Sequence, residues 1–107
     1  MNENMAALHN FVEAHQNWIP TIDYHPHFEE PKTVDLQVRR AIETNMGTWV
    51  CGFKVFGIIH GIGTGVLKER VENLIKEYKR RQIVRDHFWL DNPGVVFVVI
   101  NKQDDAD

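Results

Sequence analysis

With one cysteine in 107 residues the chain cannot form an internal disulfide. Cys51, set among Trp49, Val50 and Phe53, is expected to behave as a small core residue. Long apolar runs are also missing. Uncharged stretches such as "NMGTWVCGF" are too short and too interrupted to cross a bilayer, and the N-terminus has neither the basic nor the apolar region of a signal peptide. A soluble, cytoplasmic protein without a membrane partner is therefore expected. There is no internal repeat and no low-complexity segment. At this length, 43% hydrophobic content suffices for one modest core and leaves no room for a second domain.

Charge is present but unevenly placed. Residues 1–53 carry three positive and seven negative side chains, residues 54–85 eight and three, and residues 86–107 one and five, giving −4, +5 and −4. Lys76, Lys79, Arg80 and Arg81 read either as the solvated face and end of a helix, where cations suit the dipole, or as a patch that meets phosphates between acidic flanks.

Periodicity gives the order of elements. "MAALHNFVEAH" places Leu8, Phe11, Val12 and His15 on one helical face. "TIDYH" reads as a strand ending at Pro26, and acidic "HFEEPK" as a loop. A second helix is expected from about Thr33, its N-cap, with Val34, Val38, Ala41 and Ile42 inward and "NMG" as the stop. "KVFGIIH" is a strand, and Leu67, Val71, Leu74, Ile75 and Tyr78 fall at helical spacing. "QIVRDHFWL" and "VVFVVIN", joined by "NPG", form a hairpin. The expected fold is thus an α/β chain of the α+β two-layer sandwich type: β-α-β-α-β-β with a mixed four-stranded sheet, preceded by a short N-terminal helix. Residues 1–20 form the helical extension, 21–102 the domain and 103–107 an acidic tail.

Two stretches carry chemistry. "HGIGTG" opens a helix at the carboxyl end of a strand, where ligands collect in open α/β sheets. Gly61, Gly63 and Gly65 permit positive φ and close approach of N–H groups to a phosphate at a helix N-terminus; the plainer reading is a tight glycine-rich turn. The spacing matches neither a dinucleotide fingerprint nor GxxxxGK[ST]. In "IDYH", alternation puts Asp23 and His25 on one face at a strand end. With the first two strands adjacent, His25 and His60 emerge at the same sheet edge. Asp23, His25 and His27 could be a ligand set, but Pro26 kinks the segment and no second carboxylate is placed, so no metal site is assigned.

Together, "IDYHP", "IIHGIGTGVLKERV" and "NPGVVFVVI" resemble the Smr (small MutS-related) domain family, whose pattern is LDxHG, HGxGTGxLR and a late glycine-led strand. The resemblance spans residues 21–101. It implies a β-α-β-α-β-β sandwich that binds nucleic acid, several relatives being DNA or RNA endonucleases and others belonging to repair proteins or to factors acting at stalled ribosomes. By resemblance, Asp23 and His25 occupy the cleavage motif, and His60, Gly61, Gly63, Thr64 and Gly65 the loop that binds the nucleic-acid backbone. Pro26 replaces a glycine, removing an N–H. Lys68 stands where arginine is usual, losing the planar fork.

Two readings follow. One is an endonuclease, a phosphodiester hydrolase, with His25 as general acid or base, Asp23 orienting it, and Lys68, Arg80 and Arg81 on phosphates. The other is a non-catalytic module for nucleic acid or a ribosome-associated partner. Partners are then a DNA or RNA backbone, and beyond it a ribosome or a larger repair complex. The cofactor is unknown, a divalent metal being the one to test.

Overall fold

The computed structural model describes residues 3–23, 31–62 and 65–101. His25, Gly63, Thr64 and the acidic tail lie outside them. In chain order the elements are helix α1 (Glu3–Ala14), a 3₁₀ turn (Gln16–Trp18), strand β1 (Thr21–Asp23), helix α2 (Pro31–Glu43), strands β2 (Thr48–Val50) and β3 (Phe53–Ile59), helix α3 (Val66–Arg80), and strands β4 (Val84–Trp89) and β5 (Val95–Ile100).

The mixed sheet and the α+β architecture are as expected, with one strand more. The sheet order is β1-β3-β5-β4, β1 running parallel to β3 and the other pairs antiparallel, while short β2 folds back on the first half of β3. The two strands joined through α2, expected from the crossover rule to be parallel neighbours or near neighbours, are parallel neighbours. The added strand also corrects the reading of Cys51. Val50 pairs with Phe53, so Cys51 and Gly52 form a two-residue hairpin with φ of 51° and 87°, both positive as a type I′ turn requires. Cys51 therefore points into solvent instead of into the core.

Helix α2 begins at Pro31, two residues before the expected Thr33. Proline suits a first turn because its missing N–H would have no acceptor there. Both α2 and α3 end in the same device without glycine. Asn45 (φ 54°) follows α2 and Gln82 (φ 61°) follows α3. Each donates back within the last turn, Asn45 to Ile42 O and Gln82 to Lys79 O. The next N–H reaches further, Met46 to Ala41 O and Ile83 to Tyr78 O. These are the paired bonds of a Schellman cap.

Central β3 and β5 are covered on both faces, which is why "VVFVVI" is a continuous apolar run and not an alternating one. On one face Val38, Ala41 and Ile42 of α2 and Val71, Leu74, Ile75 and Tyr78 of α3 pack on Phe56, Ile58, Val96, Val98 and Ile100. On the other, Met5, Leu8 and Val12 of α1 pack on Val55, Phe97 and Val99, so the N-terminal helix is a third layer on the domain. His15 lies just past α1, between the rings of Phe11 (4.5 Å) and Trp18 (4.9 Å). Bidentate pairs join the two helices of the first layer: Arg70 to Asp35 at 2.9–3.1 Å and Arg39 to Glu77 at 2.7 and 3.2 Å.

Candidate nucleic-acid interface

The parallel pair β1 and β3 ends at one edge of the sheet, and of the sequence-predicted site residues Asp23, His60 and Gly61 lie there. Asp23 is opposite Ile59 in the parallel register, one residue before His60. Its side chain is exposed. Ile22 packs into the α2–α3 core, so alternation turns Asp23 toward the α1 side of the sheet. The loop after His60 leads instead to α3, on the opposite side. Asp23 thus lies toward the α1 side of the sheet and Lys68 on the side of α3, while His25, Gly63 and Thr64 lie outside the described residues.

His60 does not present its ring to a ligand. It is 2% exposed. The Trp89 indole N–H donates to His60 Nε2 at 2.9 Å, and His60 Nδ1 lies 2.8 Å from Gly61 O. An indole can only donate, so Nε2 is the acceptor and Nδ1 carries the proton given to Gly61 O. Burial holds the His60 pKa below the ordinary histidine value, with nearby Lys68 acting in the same direction against the Gly61 bond. A neutral ring with both nitrogens used is a strut for the loop and cannot be its phosphate contact or a general base. That revises the binding role expected for the His60 side chain.

The loop is strapped down from the β4–β5 turn. Gly94 O accepts from His60 N (2.9 Å) and Gly61 N (3.1 Å), while Asn92 Oδ1 accepts from Gly94 N (2.9 Å). A Cβ at Gly94 would stand 3.3 Å from Gly61 Cα and C, which explains the glycine of "NPG". Gly61 N–H is consequently spent inside the protein and not offered outward. Gly65 is different: it caps α3 at φ 87°, is exposed, and has nothing within 4 Å of a hypothetical Cβ. The first intrahelical bond runs from Glu69 N to Gly65 O. Val66, Leu67 and Lys68 therefore have no intrahelical acceptor for their N–H groups. Val66 is itself 65% exposed, so this helix start is not buried under another element.

The expected cations divide. Lys68 is in the first turn of α3, its ammonium 4.8 Å above the centre of the Trp89 ring. Arg80 ends α3 and Arg81 caps it, about 18 Å further along the axis at 1.5 Å per residue. Arg81 sits over the Tyr78 ring (4.9 Å) and 3.9 Å from Glu77. Lys79 Nζ is 3.4 Å from His87 Nδ1. Burial first, and then Lys79, hold the His87 pKa below the ordinary value, so the ring is neutral and accepts from the ammonium. Trp89 and His87 entered the sequence reading only as strand residues. The missing clue was that a buried His60 needs a donor for its second nitrogen.

Among the described residues no group of three or more His, Cys, Asp or Glu side chains is placed to hold a metal, and no helix is long and apolar enough to cross a membrane.

Comparison with known families gives one finding. The family model described as the Smr domain matches residues 27–101, and the matched segment begins after Asp23, His25 and Pro26. No curated protein and no solved structure matches the chain.

Proposed function

The chain belongs to the Smr domain family, and we propose on that premise that it binds the sugar-phosphate backbone of DNA or RNA at the edge formed by His60–Lys68 and cleaves it with Asp23 and His25. Nucleic-acid binding is a property of the family; the cleavage is the finer part of the proposal. The observation that carries the binding site is the open first turn of α3. Its N–H groups without an intrahelical acceptor and its positive dipole end come shortly after His60 and Gly61, which are held by Gly94 and by Trp89. Lys68 adds a positive charge at the same turn. Of the two cations at the far end of α3, Arg80 would be the one free to approach a phosphate one helix length away, since Arg81 is held by Tyr78 and Glu77.

In the cleavage step, water or the neighbouring 2′-hydroxyl of RNA adds to phosphorus and gives its proton to the His25 imidazole. The bond to the leaving oxygen breaks, and that oxygen takes up a proton. Asp23 orients the imidazole and favours its protonated form. His60, buried and with both ring nitrogens bonded, takes no part in proton transfer.

A second reading, binding without cleavage, is favoured by one specific observation. The segment matched to the family starts at residue 27 and leaves the first motif outside, and in that motif Pro26 replaces the glycine. Labelled single-stranded, duplex and branched DNA and RNA, incubated with and without divalent metal, distinguish the two. Under the first reading, Asp23→Asn and His25→Ala each retain affinity and lower single-turnover cleavage by roughly a hundredfold or more. Intact, retarded substrate under every condition selects the second. An absence of retardation removes both.

A further inference from the structure

We propose that the outer face of the Trp89 indole is a stacking platform for an unpaired nucleobase, so that the domain prefers single-stranded or locally opened strands. This rests on the reading that the edge around His60–Lys68 binds nucleic acid, and it adds which part of the nucleic acid is recognised.

Trp89 is unlike the exposed tryptophans Trp18 and Trp49, because it is fixed on several sides. One side of its ring packs against the α2–α3 core. Its N–H is bonded to His60. The rings of His60 and His87 meet it edge-on, at 6.2 Å and 71° and at 5.5 Å and 76°. An aromatic surface held this firmly loses little side-chain entropy when a ligand lands on it.

Trp89 is half-buried, and the ammonium of Lys68 stands over its ring, 4.8 Å from the centre. Such a cover is easily displaced. A cation–π contact at a partly exposed site is weaker than the stacking of a base on an aromatic side chain. Lys68 is also the cation closest, among the described residues, to the helix start at which a phosphate would sit. When a strand arrives, Lys68 moves from the indole to the phosphate, and the uncovered face accepts the base carried by that strand. Both ligand parts are served by one side-chain movement. A paired base keeps its faces inside the stack, so duplex DNA could engage the phosphate half of the site but not the indole.

The chain has three tryptophans, and the Trp18→Phe, Trp49→Phe background leaves Trp89 as the sole indole emitter. This protein is titrated with a single-stranded oligonucleotide, the blunt duplex of the same sequence, and an abasic strand carrying the same number of phosphates. The proposal expects Trp89 emission to be quenched by the single strand and not by the other two, and affinity for the single strand to exceed that for the abasic strand at least about tenfold. Binding of all three ligands with Trp89 emission unchanged overturns the platform while leaving the backbone-binding reading intact. Failure of every ligand to bind overturns that reading and the platform with it. Trp89→Phe, which keeps a ring but loses the bond to His60, should retain most of the single-strand preference. Trp89→Leu should lose it, with circular dichroism showing both variants folded. A folded Trp89→Leu protein that still prefers the single strand overturns the proposal.

Discussion

The two ends of α3 were expected to act together on phosphate, yet they are built differently. The N-terminal end begins at an exposed glycine, its first N–H groups have no acceptor within the helix, and the residues that lead to it, His60 and Gly61, are fastened to β4 and β5 through Trp89 and Gly94. The C-terminal end closes on itself through a Schellman cap, and Arg81 is already engaged by Tyr78 and Glu77. One end has N–H groups without an intrahelical partner, and the other closes its last carbonyls on its own N–H groups. Equal formal charge at the two ends therefore does not mean equal readiness to bind an anion.

The largest expected effect tests the fastening. Gly94→Val places atoms 3.3 Å from Gly61, so the loop must shift. A loss of about 1–3 kcal/mol of stability is expected, the scale for overpacking, together with weakened oligonucleotide binding. Gly65→Ala meets no neighbour and is limited to the cost of a left-handed backbone, about 1 kcal/mol. Denaturant unfolding of the two variants checks the order. Equal costs would show that the strap is not what holds this end.

A second test uses pH. Burial depresses the His60 pKa in the folded protein, so the unfolded chain binds the proton more readily between the folded and unfolded values. The stabilisation from neutral His60 is complete above the ordinary histidine value of about 6.5 and is lost as pH falls through the lower, folded value. Protonation would also set an N–H against the Trp89 N–H. His87 shifts in the same direction and adds to the loss. A ring-proton titration should place the His60 midpoint below the ordinary value, and Trp89→Phe should raise it, because the neutral ring then loses its donor.

The ends differ in salt dependence as well. Lys68→Gln should reduce the log–log slope of duplex binding by about 0.9, one phosphate contact. Arg80, which makes no ion pair among the described residues, should reduce it by at most the same amount. A slope unmoved by Lys68→Gln and lowered by Arg80→Gln would reverse the comparison.

Much of this fold is legible in the sequence because its patterns are strong: the helical spacing of Val71, Leu74, Ile75 and Tyr78, the unbroken "VVFVVI", and the glycines at a strand end. β2 was hidden because a three-residue strand has almost no periodicity, and because Cys51 at positive φ is not a usual hairpin residue. The site was half legible. Its edge and its glycines follow from local sequence. The burial of His60, its bond to Trp89 twenty-nine residues away, and the division of Asp23 and Lys68 between two sides of the sheet depend on strand order and register. No local pattern encodes those.

The smallest effect is expected at Arg81, and it bears most directly on the contrast between the ends. Arg81 is 53% exposed in its side chain, which a charge count would take as readiness for phosphate. Its guanidinium nevertheless covers the Tyr78 ring and approaches Glu77, whose pKa is lowered chiefly by its bonds to Arg39 and further by Arg81. To reach a phosphate Arg81 would have to leave both neighbours, and its gain is reduced by what it gives up. Arg81→Gln should therefore lower stability by only about 0.5 kcal/mol, the scale of an exposed i, i+4 pair or cation–π interaction, and change the salt slope by much less than the 0.9 expected for Lys68→Gln. Slopes measured on the two variants with the same duplex make the check. A slope reduction for Arg81→Gln as large as that for Lys68→Gln would mean that the C-terminal end gives up its own packing on binding, so that the nucleic acid runs the length of α3.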